Sequence, residues 1–355
     1  MGGDSLGIKN AGIDVVAFNE FDKHAVEAHK LNFPDSVLIS DPTQKKPKDK
    51  INIQLIPDEM FSAYKGEVDL IFAGHPCQGW SNAGKKLPDD PRNTLFREFA
   101  RSARLIKPKY IIGENVDGLL NRKTATGENY IDVIVKEFDD LGYNITYQVC
   151  HTVKYGIPQL RKRLVYVGVR KDLNQTYTFP EPLNDGKKNL PNLQHIIKFS
   201  MEGAIRIEPD DFDMTSIPSE CIMTDMTNDD VEDTKIHPYL RLKAKTRNQE
   251  YSGKVHKNLL SFSKRDSPIH GEVIDIRNPS KTIICSYDHQ PRLFVPLKNK
   301  NGYYLRCILP DELKQIQGFP ADFKLYGNKS QQIKQIGNAV PPPLITQIVE
   351  KILAM

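Results

Sequence analysis

Short apolar runs alternate with helical patterns through the first half of the chain, and this alternation restricts the fold more than any other feature. The candidate buried strands are residues 15–18, 68–73, 110–113 and 164–169. The helical patterns between them are residues 22–31, 93–106 and 129–141. Such an alternation predicts an α/β fold with a parallel sheet that is covered on both faces. Functional side chains are then expected at the carboxyl ends of the strands.

The composition indicates a globular intracellular protein and leaves a nucleic-acid partner open. The 355 residues are 39% apolar, and the formal net charge of +4 permits such a partner without requiring one. There is no run of about eighteen apolar residues and no basic-then-apolar leader, so neither a membrane span nor a signal peptide is expected. The five cysteines are scattered without a Cys-x-x-Cys pair, which predicts neither a metal site nor a disulfide framework.

The alternation stops after Lys171, and the residues up to about Asp275 are predicted to form a second region. Residues 208–233 contain ten acidic residues and no Lys or Arg. Residues 241–265 contain eight Lys or Arg side chains against one Glu. This basic stretch fits either an ordinary solvated surface or a surface that contacts phosphates. A helical pattern returns at residues 345–353.

Two neighbouring strands are each followed by a side chain that can do chemistry. Residues 74–81 read GHPCQGWS and place Cys77 at the carboxyl end of the 68–73 strand, where a thiolate could act as a nucleophile. A Pro-Cys pair alone is weak evidence, because most cysteines are small buried apolar residues. The strand at 110–113 leads into Glu114-Asn115-Val116, so Glu114 is a candidate acid or hydrogen-bond donor facing that cysteine.

Two later segments could complete a site. Residues 155–163 read YGIPQLRKR, and Arg161 and Arg163 could hold the glutamate, a base or a phosphate. Residues 335–342 read QIGNAVPP, in which the prolines suit the first turn of the final helix and Gly337 and Asn338 suit a close backbone approach to a ligand. A basic strand end and a plain loop are the simpler alternatives.

Taken together, these segments resemble the cytosine-5 DNA methyltransferase family. The Pro-Cys-Gln loop, the Glu-Asn-Val tripeptide, the Gln-x-Arg-x-Arg segment and the Gly-Asn-x-Val-Pro segment occur in the family's order, and residues 306–320 (RCILPDELKQIQGFP) resemble its segment ahead of the last motif. The resemblance spans nearly the whole chain apart from a variable middle. It implies a Rossmann-like sheet of S-adenosylmethionine-dependent methyltransferases in residues 1–175 and 328–355, with a smaller target-recognition domain in residues 176–327.

The resemblance implies methyl transfer from S-adenosylmethionine to C5 of a cytosine in double-stranded DNA. Cys77 would attack C6 of the base, which makes C5 nucleophilic. Glu114 would contact N3 and the exocyclic amine, Arg163 would brace Glu114 and the base, and Arg161 is a further catalytic candidate. Since a base inside a duplex is out of reach, the family flips it into the pocket. We expect a monomer that uses no metal.

The resemblance also implies a cofactor site. Gly2, Gly3 and Gly7 match the tail of the family's glycine loop. Glu20 would hold the ribose hydroxyls, and Phe21 would lie against the adenine. The remaining cofactor-binding candidates are Asp41 (near the adenine amine), Pro76, Leu95, Asn338, Ala339 and Val340.

One departure from the family pattern keeps alternatives open. Family members open with a strand and a Phe-x-Gly segment before the glycine pair, whereas this sequence starts at the pair, so the first strand is expected to be missing. Three alternatives follow: the true start lies upstream, a separate piece supplies the strand, or the chain is an inactive DNA-binding relative. A transfer-RNA cytosine-5 methyltransferase is another, although the Cys-Phe-Thr tripeptide of that branch does not occur here. The recognition sequence and the role, whether restriction-modification, regulatory or viral, stay open.

Overall fold

The computed structural model describes residues 1–75, 95–124, 126–208, 214–231, 249–251, 254–256, 259–260, 271–288 and 292–355. Within these ranges the helices are α1 (Gly3–Asn10), α2 (Lys23–Asn32), α3 (Pro47–Lys50), α4 (Asp58–Ser62), α5 (Phe96–Ile106), α6 (Tyr130–Asp140), α7 (Pro310–Ile316), α8 (Lys329–Asn338) and α9 (Pro342–Leu353). The strands of the first half are β1 (Ala17–Phe18), β2 (Val37–Leu38), β3 (Leu70–Ala73), β4 (Tyr110–Val116), β5 (Tyr143–His151), β6 (Gln159–Leu160) and β7 (Lys162–Arg170). Those of the second half are β8 (Ile205–Ile207), β9 (Met223–Thr224), β10 (Gln249–Tyr251), β11 (Lys254–His256), β12 (Leu259–Leu260), β13 (Gly271–Val273), β14 (Ser280–Lys281), β15 (Leu293–Asn299) and β16 (Gly302–Cys307).

The main sheet has the order β3-β4-β7-β5, and its strands are not all parallel. β3 and β4 are parallel, but β7 runs antiparallel to both of its neighbours. The prediction of a parallel sheet was therefore wrong for the strand at 164–169. The reason is the short connection, residues 152–161, between β5 and β7. A parallel return needs a crossover of about a dozen residues or more, usually with a helix.

The prediction that both faces of this sheet are covered is confirmed. Ile111 packs on one face with α5 and α6, whereas the next residue, Ile112, packs on the other face with α9. Tyr166 and Val167 on β7 divide between the two faces in the same way. The side chains of successive strand residues point to opposite faces of the sheet. A strand of consecutive apolar residues therefore needs helices or other elements packed on both faces. The continuous apolar runs in the sequence reflect this arrangement.

β1 and β2 form a smaller parallel pair in the N-terminal part, and α2 connects the two strands along the chain. The predicted strand at 15–18 is shorter than expected, because only Ala17 and Phe18 pair with β2. α1 begins at the glycine pair, with Gly2 directly before its first residue, Gly3. α1 packs against α9, so the two ends of the described chain meet.

The second region contains its own sheet, with the order β12-β13-β15-β16-β8 and with β9 paired to β15. Most of the basic stretch at 241–265 lies outside the described residues, so its proposed contact with phosphates stays a prediction. One hydrophobic cluster joins residues from both predicted domains, including Ala25, Phe33, Leu193, Val295, Leu313, Ile333 and Ile336. The boundaries at 175/176 and 327/328 stay a prediction, and they do not coincide with a break in this core.

Candidate active site

Glu114 and Arg163 form an ion pair at the end of the main sheet. Glu114 lies on β4 opposite Val165 of β7, and Arg163 lies two residues before Val165. Side chains two residues apart on a strand share a face, so the antiparallel register brings Arg163 to Glu114. Arg163 Nε lies 2.6 Å from Glu114 Oε1, and the two side chains are only 14% and 11% exposed. The predicted contact between these two residues is therefore present.

The chain that leads to Cys77 runs beside this ion pair. A Cβ atom at Gly74 would lie 3.8 Å from Glu114 Oε2, so the end of β3 faces the second carboxylate oxygen. Pro76 and Cys77 themselves lie outside the described residues. Their assigned roles, contact with the cofactor and nucleophilic attack, stay predictions that rest on the sequence.

Buried hydrogen bonds tie the ends of β3 and β4 together through His75. Asn115 Nδ2 donates to His75 Nδ1 at 3.0 Å and to the His75 carbonyl oxygen at 3.1 Å. Asn115 Oδ1 accepts from the Val116 N–H at 2.9 Å, which determines the orientation of the amide. His75 Nδ1 is then an acceptor, so Nε2 carries the proton and donates to the Tyr166 hydroxyl at 3.1 Å. Sequence reasoning missed this role of His75, although its place directly before Pro76-Cys77 was a signal.

Tyr166 can reach His75 because the residue opposite it on β4 is a glycine, which has no side chain. Gly113 lies directly opposite Tyr166 in the β4–β7 register. A Cβ atom at Gly113 would lie 1.9 Å from the Tyr166 ring, which is far closer than any real contact. The glycine in Tyr-Ile-Ile-Gly therefore allows the ring to lie across β4. Burial raises the pKa of the Tyr166 hydroxyl, so this hydroxyl stays protonated.

Arg161 is buried and bonds to main-chain carbonyl groups. It is only 2% exposed. Its guanidinium donates to the carbonyl oxygens of Ile283 at 3.1 Å, Gly337 at 3.0 Å and Ala339 at 3.3 Å. The two arginines of the Gln-x-Arg-x-Arg segment thus take different partners. The catalytic assignment of Arg161 stays a prediction, and these contacts favour a role in holding the main chain.

The glycines near the start of the chain allow α1 to contact the segment before α9. Gly2 adopts a left-handed φ of 92° at the beginning of α1. A Cβ atom at Gly3 would lie 2.2 Å from the Val340 carbonyl oxygen, and one at Gly7 would lie 2.6 Å from Ile345 Cβ. Two parts of the predicted cofactor site, the glycines at the start of α1 (Gly3) and the segment before α9 (Val340), are therefore in direct contact. Gly337 was expected to allow a close approach to a ligand, but in the structure its main chain lies close to other protein atoms. A Cβ atom added at Gly337 would lie 2.4 Å from the Cys285 nitrogen.

Other cofactor candidates present chemistry that fits S-adenosylmethionine. Phe21 is 56% exposed and follows Glu20, whose Oε1 accepts from the Asp22 N–H at 2.8 Å. Asn338 is exposed at the end of α8, and Leu95 is half-buried just before α5. A carboxylate, an exposed aromatic ring and an amide suit ribose hydroxyls, adenine and polar groups of the cofactor. The residues present therefore fit the group, and their individual roles stay predictions.

Asp41 is buried and uses both carboxylate oxygens within its own turn. Oδ1 accepts from the Thr43 hydroxyl at 2.6 Å and from the Thr43 N–H at 2.9 Å, and Oδ2 accepts from Gln44 Nε2 at 2.8 Å. These hydrogen bonds lower the pKa of Asp41, and those from the side chains of Thr43 and Gln44 contribute most. Because both oxygens of Asp41 already accept these hydrogen bonds, the carboxylate has less capacity to accept one from the adenine amine. The cofactor contact of Asp41 stays a prediction.

No group of three His, Cys, Asp or Glu side chains among the described residues is arranged to hold a metal ion. The described cysteines are free thiols, and they are Cys150, Cys221, Cys285 and Cys307. Within the same residues, no helix combines the length and the apolar character needed to cross a membrane.

A second buried histidine, His29, packs behind the glycine pair. His29 Nε2 lies 2.9 Å from Ser5 Oγ, and the ring stacks on Phe18 at 3.7 Å. Burial lowers the pKa of His29 to about 3. Burial lowers the pKa of His75 to about 4. Both imidazoles are therefore neutral in the folded protein near neutral pH.

This pair of histidines predicts a loss of stability in mild acid. The ordinary histidine pKa is about 6.5, so below that pH the unfolded chain binds protons that the folded chain does not bind, and stability falls as the pH falls. Between about pH 7.5 and about pH 5, each buried histidine should lower the free energy of unfolding by about 2 kcal/mol. Urea unfolding at the two pH values measures the difference. His29→Phe should reduce the difference by about 2 kcal/mol, with His195→Phe, at an exposed position, as the control. An unchanged pH dependence in His29→Phe would contradict the assignment.

Comparison with known proteins identifies the family. Residues 1–354 match the family described as C-5 cytosine-specific DNA methylase. The chain is 30% identical to Type II methyltransferase M1.HphI of Haemophilus parahaemolyticus, over 100% of this chain and 84% of that protein. It is also 30% identical to Type II methyltransferase M.NgoPII of Neisseria gonorrhoeae, over 99% of this chain and 92% of that protein.

Solved structures show the same fold at low sequence identity. A putative DNA modification methyltransferase encoded within an E. coli prophage has a TM-score of 0.61 at 22% identity and covers 99% of this chain and 95% of its own. A mutant of Spodoptera frugiperda DNMT2 has a TM-score of 0.63 at 17% identity, with 99% and 97% covered. The predicted methyltransferase fold class is thus confirmed. The chain belongs to the C-5 cytosine-specific DNA methylase family and is an enzyme of the DNA (cytosine-5-)-methyltransferase class.

Proposed function

We propose that this chain methylates C5 of cytosine in double-stranded DNA with S-adenosylmethionine, through a covalent bond between Cys77 and C6 of the base. The observation that supports it best is the buried Glu114–Arg163 ion pair, which lies beside the chain three residues before Cys77. Family membership supplies the class of reaction. The ion pair would supply a group that binds the base at the carboxyl end of a strand, where this class of sheet does its chemistry.

Glu114 would polarise the base for attack. Its Oε1 is engaged by Arg163, while its Oε2 faces the chain at Gly74. Glu114 would first have to take up a proton, and by donating that proton to N3 it would stabilise the negative charge that the ring gains when the Cys77 thiolate forms the S–C6 bond. C5 would then take the methyl group, which leaves the cofactor as a neutral thioether. A general base would remove the C5 proton, and the C5–H electron pair would re-form the C5=C6 double bond and expel the thiolate from C6. Bound S-adenosylmethionine supplies the methyl group on a sulfonium.

The cofactor would lie beside the contact between the N-terminal glycines and the segment before α9. Gly3 and Val340 form the contact between these two elements. Glu20 and Phe21 would hold the ribose and the adenine, and Asn338 is exposed next to this contact. The roles of Gly2, Gly7, Asp41, Pro76, Leu95 and Ala339 in binding the cofactor are part of the same proposal.

The target cytosine would be flipped out of the duplex, at a cost of a few kcal/mol in lost stacking and pairing. The basic stretch at 241–265 would then contact phosphates and help to hold the duplex, because eight Lys or Arg side chains occur there. We propose a monomer that works inside the cell. A monomer suffices if the residues named above complete the site within one chain.

Transfer of labelled methyl from S-adenosylmethionine to unmethylated genomic DNA tests this function, with transfer RNA as a parallel substrate. Cys77→Ala should lower the rate by about a thousandfold or more, because a covalent nucleophile has no substitute. Cys285→Ala removes an exposed thiol that has no assigned role in the site and should leave the rate unchanged. Label only in transfer RNA would overturn the DNA substrate. Label in DNA that survives Cys77→Ala would overturn the covalent mechanism, and no label in either polymer would overturn the activity.

A further inference from the structure

A buried chain of amide hydrogen bonds lies beneath the segment proposed to face the cofactor. Gln317, directly after α7, donates from Nε2 to the Ala339 carbonyl oxygen at 2.6 Å. Its Oε1 accepts from Gln159 Nε2. Gln159 Oε1 in turn accepts from the Ile283 N–H at 3.0 Å. Both glutamine side chains are fully buried, at 0% exposure.

The orientation of both amides follows from the main-chain groups at the two ends of this chain. A carbonyl oxygen at Ala339 can only accept, so Gln317 must present its NH₂ group there. An N–H at Ile283 can only donate, so Gln159 must present its oxygen. The remaining ends, Gln159 Nε2 and Gln317 Oε1, then meet as donor and acceptor. A change at either glutamine leaves a buried polar group without its partner, which is costly.

We propose that Gln317 and Gln159 are positioning residues for the cofactor, because they set the main chain at Ala339 and thereby the place of Asn338 and Val340. The Ala339 carbonyl oxygen accepts from Gln317 and also from Arg161. The next carbonyl oxygen, that of Val340, lies against Gly3. A shift of Ala339 would therefore change the contact between the two parts of the cofactor site. The inference rests on the proposed function.

The same hydrogen bonds reach the region that is predicted to grip DNA. β14 pairs with β6, with Ser280 opposite Gln159. Both main-chain polar groups of Ile283 are bonded: its N–H donates to Gln159, and its carbonyl oxygen accepts from Arg161. Residues 280–283 are thus bonded through Gln159 and Gln317 to the segment at Ala339. The network gives the cofactor segment a fixed position relative to the second region.

Isothermal titration with S-adenosylhomocysteine, without DNA, tests this inference independently of catalysis. Gln317→Met keeps the length of the side chain and removes both hydrogen bonds, and it should raise the Kd about tenfold, as the loss of one well-placed hydrogen bond implies. Gln315→Met is the matched control, because Gln315 lies two residues earlier in α7, is only half-buried, and donates from its side chain to the Asp311 carbonyl oxygen of that helix. In steady state, the KM for S-adenosylmethionine should rise about tenfold, with kcat within about threefold.

Gln159→Met provides a second variant, should Gln317→Met fail to fold, and it should raise the Kd about threefold to tenfold because it leaves the buried Gln317 Oε1 without its donor. A Kd within about twofold of the wild type in a folded variant, or an equal change in Gln315→Met, would overturn the inference. A wild-type chain that does not bind S-adenosylhomocysteine would instead overturn the proposed function itself.

Discussion

Glu114→Gln is expected to slow methyl transfer to DNA by about 10²–10³-fold, within the range for loss of a positioned acid–base group. Glutamine keeps the size of the side chain, and its NH₂ group can still donate a hydrogen bond, but it has no acidic proton to give to N3 of the base. The substitution also leaves Arg163 without its counter-charge in a site where both side chains are largely buried. Single-turnover methylation with saturating cofactor and DNA measures this step directly, and titration with S-adenosylhomocysteine should show unchanged cofactor binding.

A matched ion pair elsewhere provides the control for Glu114→Gln. Glu98 pairs with Arg101 Nε at 2.8 Å, and these side chains are 21% and 20% exposed. Glu98→Gln should change the single-turnover rate by less than about twofold, because it removes a carboxylate–arginine pair that is not assigned to the site. If Glu114→Gln methylates DNA within about threefold of the wild type, the role proposed for Glu114 is wrong.

Glu312→Ala is expected to lower the free energy of unfolding by about 3–5 kcal/mol, the cost of leaving a buried charge without its partner. The Glu312 carboxylate accepts from Arg306 Nη1 at 2.8 Å and from Arg306 Nη2 at 2.7 Å. It also accepts from the N–H groups of Lys198 at 3.1 Å and Leu309 at 2.9 Å. The Arg306 side chain is 0% exposed, so water cannot replace the carboxylate. Urea unfolding followed by circular dichroism measures the change.

An exposed pair of the same residue types shows what burial contributes. Glu220 pairs with Arg277 Nη1 at 2.6 Å, but the side chains are 57% and 42% exposed. Glu220→Ala should cost less than about 1 kcal/mol, because solvent screens the pair and can solvate the arginine. Equal losses of stability in the two variants would show that burial of Arg306 does not determine the effect.

The sequence was enough to predict the fold class, because local patterns carry that information. The apolar runs at 110–113 and 164–169 predicted strands buried on two faces, and Ile111 and Ile112 do pack on opposite faces. The direction of β7 was beyond such reasoning. Apolar periodicity is the same for either direction of a strand, and only the short connection at 152–161 and the pairing with β4 and β5 decide it.

At the candidate site, the sequence by itself named Glu114 and two candidate arginines, because segment order and strand ends are visible in one dimension. The resemblance to the family assigned Arg163 to the carboxylate, and the tertiary structure shows how these two side chains meet. The β4–β7 register directs Arg163 to Glu114, while Arg161 is buried against the carbonyl groups of Ile283, Gly337 and Ala339.

The buried partners that support the site were also decided by tertiary structure alone. His75 bonds to Tyr166, 91 residues further along the chain, and Gln159 bonds to Gln317, 158 residues away. No local pattern marks such pairs, since each depends on packing that brings distant segments together and excludes water from them. The sequence therefore determined the residue types, their order and the two-faced strands, while packing determined which polar groups are buried together and so must bond to each other.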